Sequence, residues 1–426
     1  MIKYIRRTSN IQNNVHAASR TGAVARLLGA RLFKEKNMKN KIIALVVLVA
    51  TLALMLSSCG HSHSFNVEST ADEYLAAAAD CENAAKYYYS CSCGEKGEET
   101  FAHGEPNGHK PAKAVSEKVV LAGQCKDGKH DEVVYCSVCN KELSRVTHVD
   151  FANHGEIVNG ACVDCKAAVY TLKDDYIEFG EYPQTLKKSN VTVGNIPDYR
   201  GYFLGSDGAY YAKVVSTPAN VGYTFSTGDV VNGGTEYFFK VEPIRWRILT
   251  KVDGKALILC DGIIENSIYD EESNKYIDSD LRAWLNEQFF ENAFTPLQQS
   301  FISATVVDNS AASTGKEDNT NATENTVDNV FLLSYSDVTN AEYGFSANAL
   351  EYDVARQMIV SDYARASGTW INMGSSNVGN GYWWLRSPVS ENETDVINVD
   401  HGGYTNYDYK AVGKGNGVVP ALWIML

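Results

Sequence analysis

Between residues 63 and 165 the chain repeats cysteine and histidine at a regular spacing, and this pattern restricts the fold more than any other stretch. Eight of the ten cysteines lie there. The first unit reads His63, Cys81 and Cys91-Ser-Cys93; the second reads His109, Cys125 and Cys136-Ser-Val-Cys139; the third reads His148, His154 and Cys162-Val-Asp-Cys165. A Cys-x-x-Cys turn lets two thiolates reach one ion, and its backbone N–H groups stabilise their charge. Each unit offers four soft or borderline ligands, so the spacing predicts one tetrahedral zinc per unit. The first unit departs from the others in having Cys-x-Cys. The alternative is a disulfide framework. Eight is an even number, but a bridge within Cys-x-x-Cys closes a strained loop, so disulfides would run between motifs.

The chain also carries an address. Met38-Lys-Asn-Lys41 is a basic start, and residues 42–56 are an unbroken apolar and small run. That run is short for a bilayer-spanning helix, which needs about 20 residues, but it suits the core of a signal peptide. Leu56-Ser-Ser-Cys59 resembles the bacterial lipobox, which implies lipidation of Cys59 and a membrane partner through the lipid anchor. A membrane helix with an incidental cysteine is the competing reading. Met38 is a plausible true start, because residues 1–37 add nothing that export needs. Export takes the chain out of the reducing cytosol and favours disulfides; the recurring histidines favour zinc. The expected organisation is a signal region (1–58), a tether (60–73), a Cys/His stalk (74–168) and a C-terminal domain (174–426). The His/Cys units resemble short repeats found in tandem on bacterial surface proteins, which implies a stapled module without catalysis.

Charge narrows the partners. Residues 1–58 hold ten Lys/Arg and one acidic residue, so the remainder carries 28 basic and 51 acidic residues, a net charge of −23. Such a surface repels phosphate backbones and argues against nucleic acid.

After residue 166 cysteine vanishes except for Cys260, and alternating apolar sequence takes over. Strands are expected over 176–184, 237–249 (with Pro243 at an edge or bulge), 256–260, 327–334, 382–387, 396–399 and 417–425. Residues 185–235 read as short hairpins or a long insertion. Asp278-Ser279-Asp280 supplies cap candidates for a helix whose Leu281, Trp284, Leu285 and Phe289 share one face. Thr295-Pro296 caps a second helix, residues 308–326 read as a surface loop, and 355–366 as a short helix. The fold class is therefore α+β, with a mixed, β-rich C-terminal domain bearing one or two helices.

The segments IEFGEYPQ, PIRWRIL with ALILC, DSDLRAWLNEQFFENAF, VFLLS, SDYARA, WWLRSP and GVVPALWI resemble, in that order, the DUF6273 family over about residues 174–426. The family usually has arginine where this chain has Val419. Its ending is similar to C-type-lectin-like and formylglycine-generating-enzyme-like domains, an analogy of fold and not of function. No phosphate loop, Rossmann fingerprint or Gly-x-Ser-x-Gly is present. His401, the one histidine of this domain, is the weak catalytic candidate, as a general base beside Asp400. Trp383, Arg386, His401, Tyr404 and Tyr407 are the candidate ligand contacts, because tyrosine and tryptophan offer flat amphipathic faces to sugars or protein loops. Trp383 and Trp384 point to opposite faces of a strand, so one is expected in the core and the other toward a second layer or ligand. The resulting expectation is a surface lipoprotein presenting a domain that binds a glycan, a cell-wall fragment or a surface protein. An exported hydrolase or modifying enzyme is the alternative.

Overall fold

A computed structural model of the chain describes residues 62–406 and 413–426. The signal region, Cys59 and Tyr407 lie outside the described residues. Two compact units divide at Gly108.

In the first unit, β1 (Leu75–Ala77), β2 (Ala85–Ser90) and β3 (Lys96–His103) form an antiparallel sheet in that order. Little apolar surface is buried; Cys81 and Cys91 are its buried hydrophobic residues. Phe65 lies directly on the backbone of Gly97, where a Cβ would come within 2.9 Å of its ring. Glycine is needed there for close approach.

The second unit opens with a meander of β4 (Val115–Val120), β5 (Gly128–Tyr135) and β6 (Glu142–Asp150). Its centre is polar. Arg145, on β6, bonds Asp131 at 3.0 Å, Glu117 at 3.0 Å and Glu142 at 2.7 Å. Lys118 and Arg145 together hold the Asp131 carboxyl down to about 2. A tight hairpin follows, β7 (Ile157–Val158) and β8 (Ala161–Cys162), joined by Asn159-Gly160 with both residues at positive φ. An Asn-Gly pair favours this turn because both residues tolerate left-handed backbone.

The remaining chain builds two sheets. The larger contains β9 (Thr171–Leu172), β10 (Tyr176–Leu186), β11 (Val193–Pro197), β12 (Phe203–Gly205), β13 (Tyr210–Val215), β14 (Glu236–Val252) and β15 (Lys255–Cys260). Strand β14 organises it: 17 residues long, it pairs with β10 along its middle, β13 at its start and β15 at its end. Residues 185–235 thus supply a short meander, β11 to β13. Pro243 sits opposite Glu181, where the β10–β14 register shifts, so the expected bulge is present. Gly180, at φ +71°, lies in that irregularity; a Cβ there would come within 2.5 Å of the Phe294 ring.

The smaller sheet comes later in the chain and has the order β16 (Glu265–Ile268), β22 (Gly415–Val418), β19 (Trp383–Pro388), β20 (Val396–Val399) and β21 (Thr405–Asn406). Between its strands lies the hairpin of β17 (Thr305–Val307) and β18 (Thr326–Asp328). The expected strand over 417–425 is divided between the sheets. After β22 the chain turns at Val419-Pro420, and β23 (Ala421–Met425) pairs with β15 in the larger sheet. Proline lacks the N–H that would continue one ladder.

Ser279 caps the helix as expected, accepting from the Arg282 N–H. Its buried positions Leu281, Leu285, Phe289 and Ala293 recur every four residues. In an α-helix such a row drifts by about 40° per step. A π-helical turn over Leu285–Phe289, between α1 (Asp280–Trp284) and α2 (Phe290–Ala293), brings the row back to one face. Those side chains join Trp246, Phe179 and Phe294 in one core, each large side chain contributing about 2–3 kcal/mol by burial. Thr295 and Gln298 form a capping box on α3 (Pro296–Gln299).

Three expectations are corrected. Residues 327–334 are strand only at β18; beyond it the backbone is irregular and buried, touching the larger sheet through a Phe331–Ala421 bridge. The expected helix over 355–366 is a 3-10 turn, Val354–Arg356, followed by α5 (Asp362–Ala366), with α4 (Tyr335–Val338) lying upstream. Residues 308–326 are a surface loop only in part: 315–318 are exposed, but other positions are buried. Asn319 and Asn321 are buried and donate to the carbonyls of Pro388, Val389 and Asn392, which fixes the segment against the end of β19.

Candidate metal centres

The Cys/His motifs close into tight turns with one shared device. Gly94, Asn140 and Lys166, which directly follow Cys93, Cys139 and Cys165, all have positive φ. Their N–H groups bond back to the carbonyls of Cys91, Cys136 and Cys162. Each turn therefore points two sulfurs to the same side.

In the second unit, Cys125, His154, Cys162 and Cys165 bring their ligand atoms within 4.8 Å of one another, and so do His109, Cys136 and Cys139. In the first unit His63, Cys91 and Cys93 form a third such group. Geometry tests which staple these groups fit. Two sulfurs bound to one zinc at about 2.3 Å and the tetrahedral angle lie about 3.8 Å apart, and a sulfur and a histidine nitrogen about 3.5 Å. The Sγ atoms of Cys125 and Cys162 are 3.7 Å apart, and Cys165 Sγ is 3.5 Å from His154 Nδ1. Cys139 Sγ lies 3.3 Å from His109 Nδ1, and Cys93 Sγ 3.4 Å from His63 Nδ1. A disulfide requires about 2.05 Å between sulfurs. The donor sets suit a soft, tetrahedral ion, so these Cys/His groups are able to hold a metal.

The thiols are biased toward that state. The Cys136 thiol is lowered to about 5 by the Cys139 N–H, against burial and with help from the Val138 and Lys110 N–H groups. Cys162 is lowered to about 6, chiefly by the Cys165 N–H, with His154 assisting. Cys125 is pushed up to about 11 by burial and by the neighbouring Cys165 and Cys162 sulfurs. It is the thiol that most needs a cation to lose its proton.

The groups differ from the sequence units. Cys125 belongs with His154, Cys162 and Cys165, not with His109. His148 is in no group: it lies opposite His130 on β5 and stacks between that ring, at 5.0 Å, and Tyr199, at 6.1 Å. Cys81 does not join His63, Cys91 and Cys93. Linear order misassigned these residues because the strands, not the repeat boundaries, decide which loops meet. The residue after the first two motifs was a readable signal, since glycine and asparagine mark left-handed turns, whereas Lys166 carries no such mark.

The C-terminal candidates separate as well. Both adjacent tryptophans are fully buried. Trp383 donates to the Arg356 carbonyl at 3.0 Å, and Trp384 donates to the Ser267 carbonyl at 2.9 Å while meeting Tyr269 edge-on. Trp383 therefore has no face free for a ligand; the smaller sheet is covered on both sides. Arg386 is 5 % exposed and pairs with Asp337 at 2.7 Å, while bonding the carbonyls of Leu332 and Asp308. Its acid caps α4. Val419 is fully buried.

His401 is half-buried, in a ring cluster with Trp370 at 5.5 Å and Tyr382 at 5.8 Å, its Nδ1 buried without a partner among the described residues. Tyr404 is 39 % exposed nearby in sequence.

Two groups escaped the sequence reading. Arg356, fully buried, donates to the carbonyls of Gly403, Val338, Ser346, Asn348 and Glu351. Glu265, enclosed with Tyr182 at 2.7 Å and near Tyr363, has its carboxyl pushed up to about 7 by burial, against those hydrogen bonds. Neither position stands out in the sequence, because burial is a property of the assembled sheets.

Soft-donor turns followed by a β-rich, two-sheet domain define the class of this chain. Residues 253–426 match the family model of a domain of unknown function, DUF6273. The matched span begins in the β14–β15 turn, and β10 and β14 contribute to the same core. No curated protein and no solved structure matches the chain.

Proposed function

We propose that this is an exported, lipid-anchored surface protein in which zinc-stapled Cys/His modules carry a lectin-like domain that binds a glycan or surface protein. The observation that carries the reading is the Cys125, His154, Cys162 and Cys165 group, whose sulfur and nitrogen spacings match a closed Cys3His zinc site with no position left for substrate. A closed site is structural. In such a site the ion would draw all four ligands together and the residues would contribute orientation, not turnover. Tyrosine abundance and the partly exposed rings of Trp370, Tyr382 and His401 support a binding role over a catalytic one.

Elemental analysis of the full chain tests the staple: two or more zinc ions per chain are expected, and a metal-free chain with its thiols oxidised would refute it. Presenting the full chain to an array of glycans and cell-wall fragments tests the binding role, with reproducible capture expected. Absence of any capture sinks that part.

A further inference from the structure

The second unit contains a cleft of about 480 Å³ between the Cys/His segment and the larger sheet. One wall comes from Phe151 and His154 of the Cys/His segment; the facing wall comes from Tyr199, Arg200 and Tyr210, and the floor from the α2–α3 turn. A Thr147–Asp198 bridge and a bond from the Gln298 amide to the Val169 carbonyl join the two sides.

The polar groups facing this cleft have hydrogen-bonding capacity left over. The Arg200 guanidinium is only 13 % exposed and is bound through Nε and Nη2 to the buried Asp198, both at 3.1 Å. Its Nη1 meets no protein acceptor among the described residues. Tyr199, Tyr202 and Tyr210 surround it at 4.8 to 5.6 Å, which fixes the tyrosine rings as well as the cation. Asn292, half-buried, lends an amide with no partner among the described residues, and Glu181 adds a carboxylate. Asp198 already neutralises Arg200, so Glu181 and Asp127 leave the cleft acidic and an anionic ligand is disfavoured. The Tyr210 ring, one donor-only group, one acceptor-only group and one amide complement a ring that has apolar C–H faces and hydroxyls at its edge.

We infer that this cleft is the binding site for a neutral saccharide, covering one or two rings of a longer chain, and that metal in the Cys125 group holds its wall in place. The inference rests on the binding role proposed above. His154 is both a ligand atom of that group and a lining residue, so loss of metal opens the cleft from one side.

Calorimetric titration of the zinc-loaded full chain with cellotriose and with tri-N-acetylchitotriose tests it. At least one trisaccharide should bind, and affinity should fall roughly tenfold or more in Asn292→Leu and in Tyr210→Ala, about the loss of one good contact. Asn292 is the safer variant, since it supports no other described side chain. Chelating the metal should cause a similar loss. Saccharide binding that survives both variants places the glycan site elsewhere and overturns the inference while leaving the binding role intact. Binding that survives chelation removes the metal coupling. Tighter binding of trigalacturonate than of either neutral probe overturns the assigned charge, and failure of every sugar here and on the array overturns both readings.

Discussion

The Cys/His segment and the two-sheet domain answer the same problem, how to fix a chain against its conformational entropy, in opposite ways. The segment buries very few apolar side chains; Val133 and the cysteines are most of its interior before Val169. Turns with left-handed residues gather thiols into groups able to hold an ion, and an ion bound there would supply the cohesion that a core otherwise gives. The two-sheet domain buries more than forty apolar residues in one continuous cluster. Polar staples appear there too, but as arginines whose N–H groups satisfy loop carbonyls. The difference teaches where each region is vulnerable: the segment to changes in solution chemistry, the domain to single buried substitutions.

Metal removal should have the largest effect and separate the regions most sharply. Structural zinc is worth about 10–16 kcal/mol in small modules. A chelator should therefore abolish hydrogen-exchange protection across residues 115–165 while protection of β14, β15 and β23 persists. Equal loss in both would break the comparison. Second comes Arg356→Met, which removes the donor to five loop carbonyls and the ion pair with Asp353. A loss of about 3–5 kcal/mol is expected in chemical denaturation followed by tryptophan fluorescence, with metal content unchanged.

Glu265 gives the smallest effect and a distinctive one. Its folded value, about 7, lies above the ordinary 4.5. The folded state holds the proton more tightly, so this stability is complete below pH 4.5 and is lost as pH rises through 7. The loss amounts to roughly 3 kcal/mol. Glu265→Gln should flatten the dependence of unfolding free energy over that window and be more stable than the parent at pH 8. A parallel curve in the variant would show that the carboxyl is not buried in solution.

Much of the domain was legible beforehand. Alternation marked β10 and β14, the apolar five marked β15, and Ser279 with the Leu281 row marked the helix, because those features act locally. What stayed hidden depends on partners far along the chain. Nothing in Tyr382–Ser387 says that both tryptophans are covered, since the layer over each face is built from loops. The segment 308–326 looks solvated by composition, yet its asparagines substitute for strand pairing by binding carbonyls. In the candidate metal centres the ligand types and turns were readable. The assignment of Cys125 was not, because it depends on which loops the strands bring together.

Strands β22 and β23 belong to different sheets and are separated by Val419 and Pro420 alone. Both residues at that joint are buried, so neither sheet can release its strand without pulling on the other. The two sheets are thus a single cooperative unit in which local opening is suppressed. A load applied anywhere on this domain would therefore be shared across both ladders.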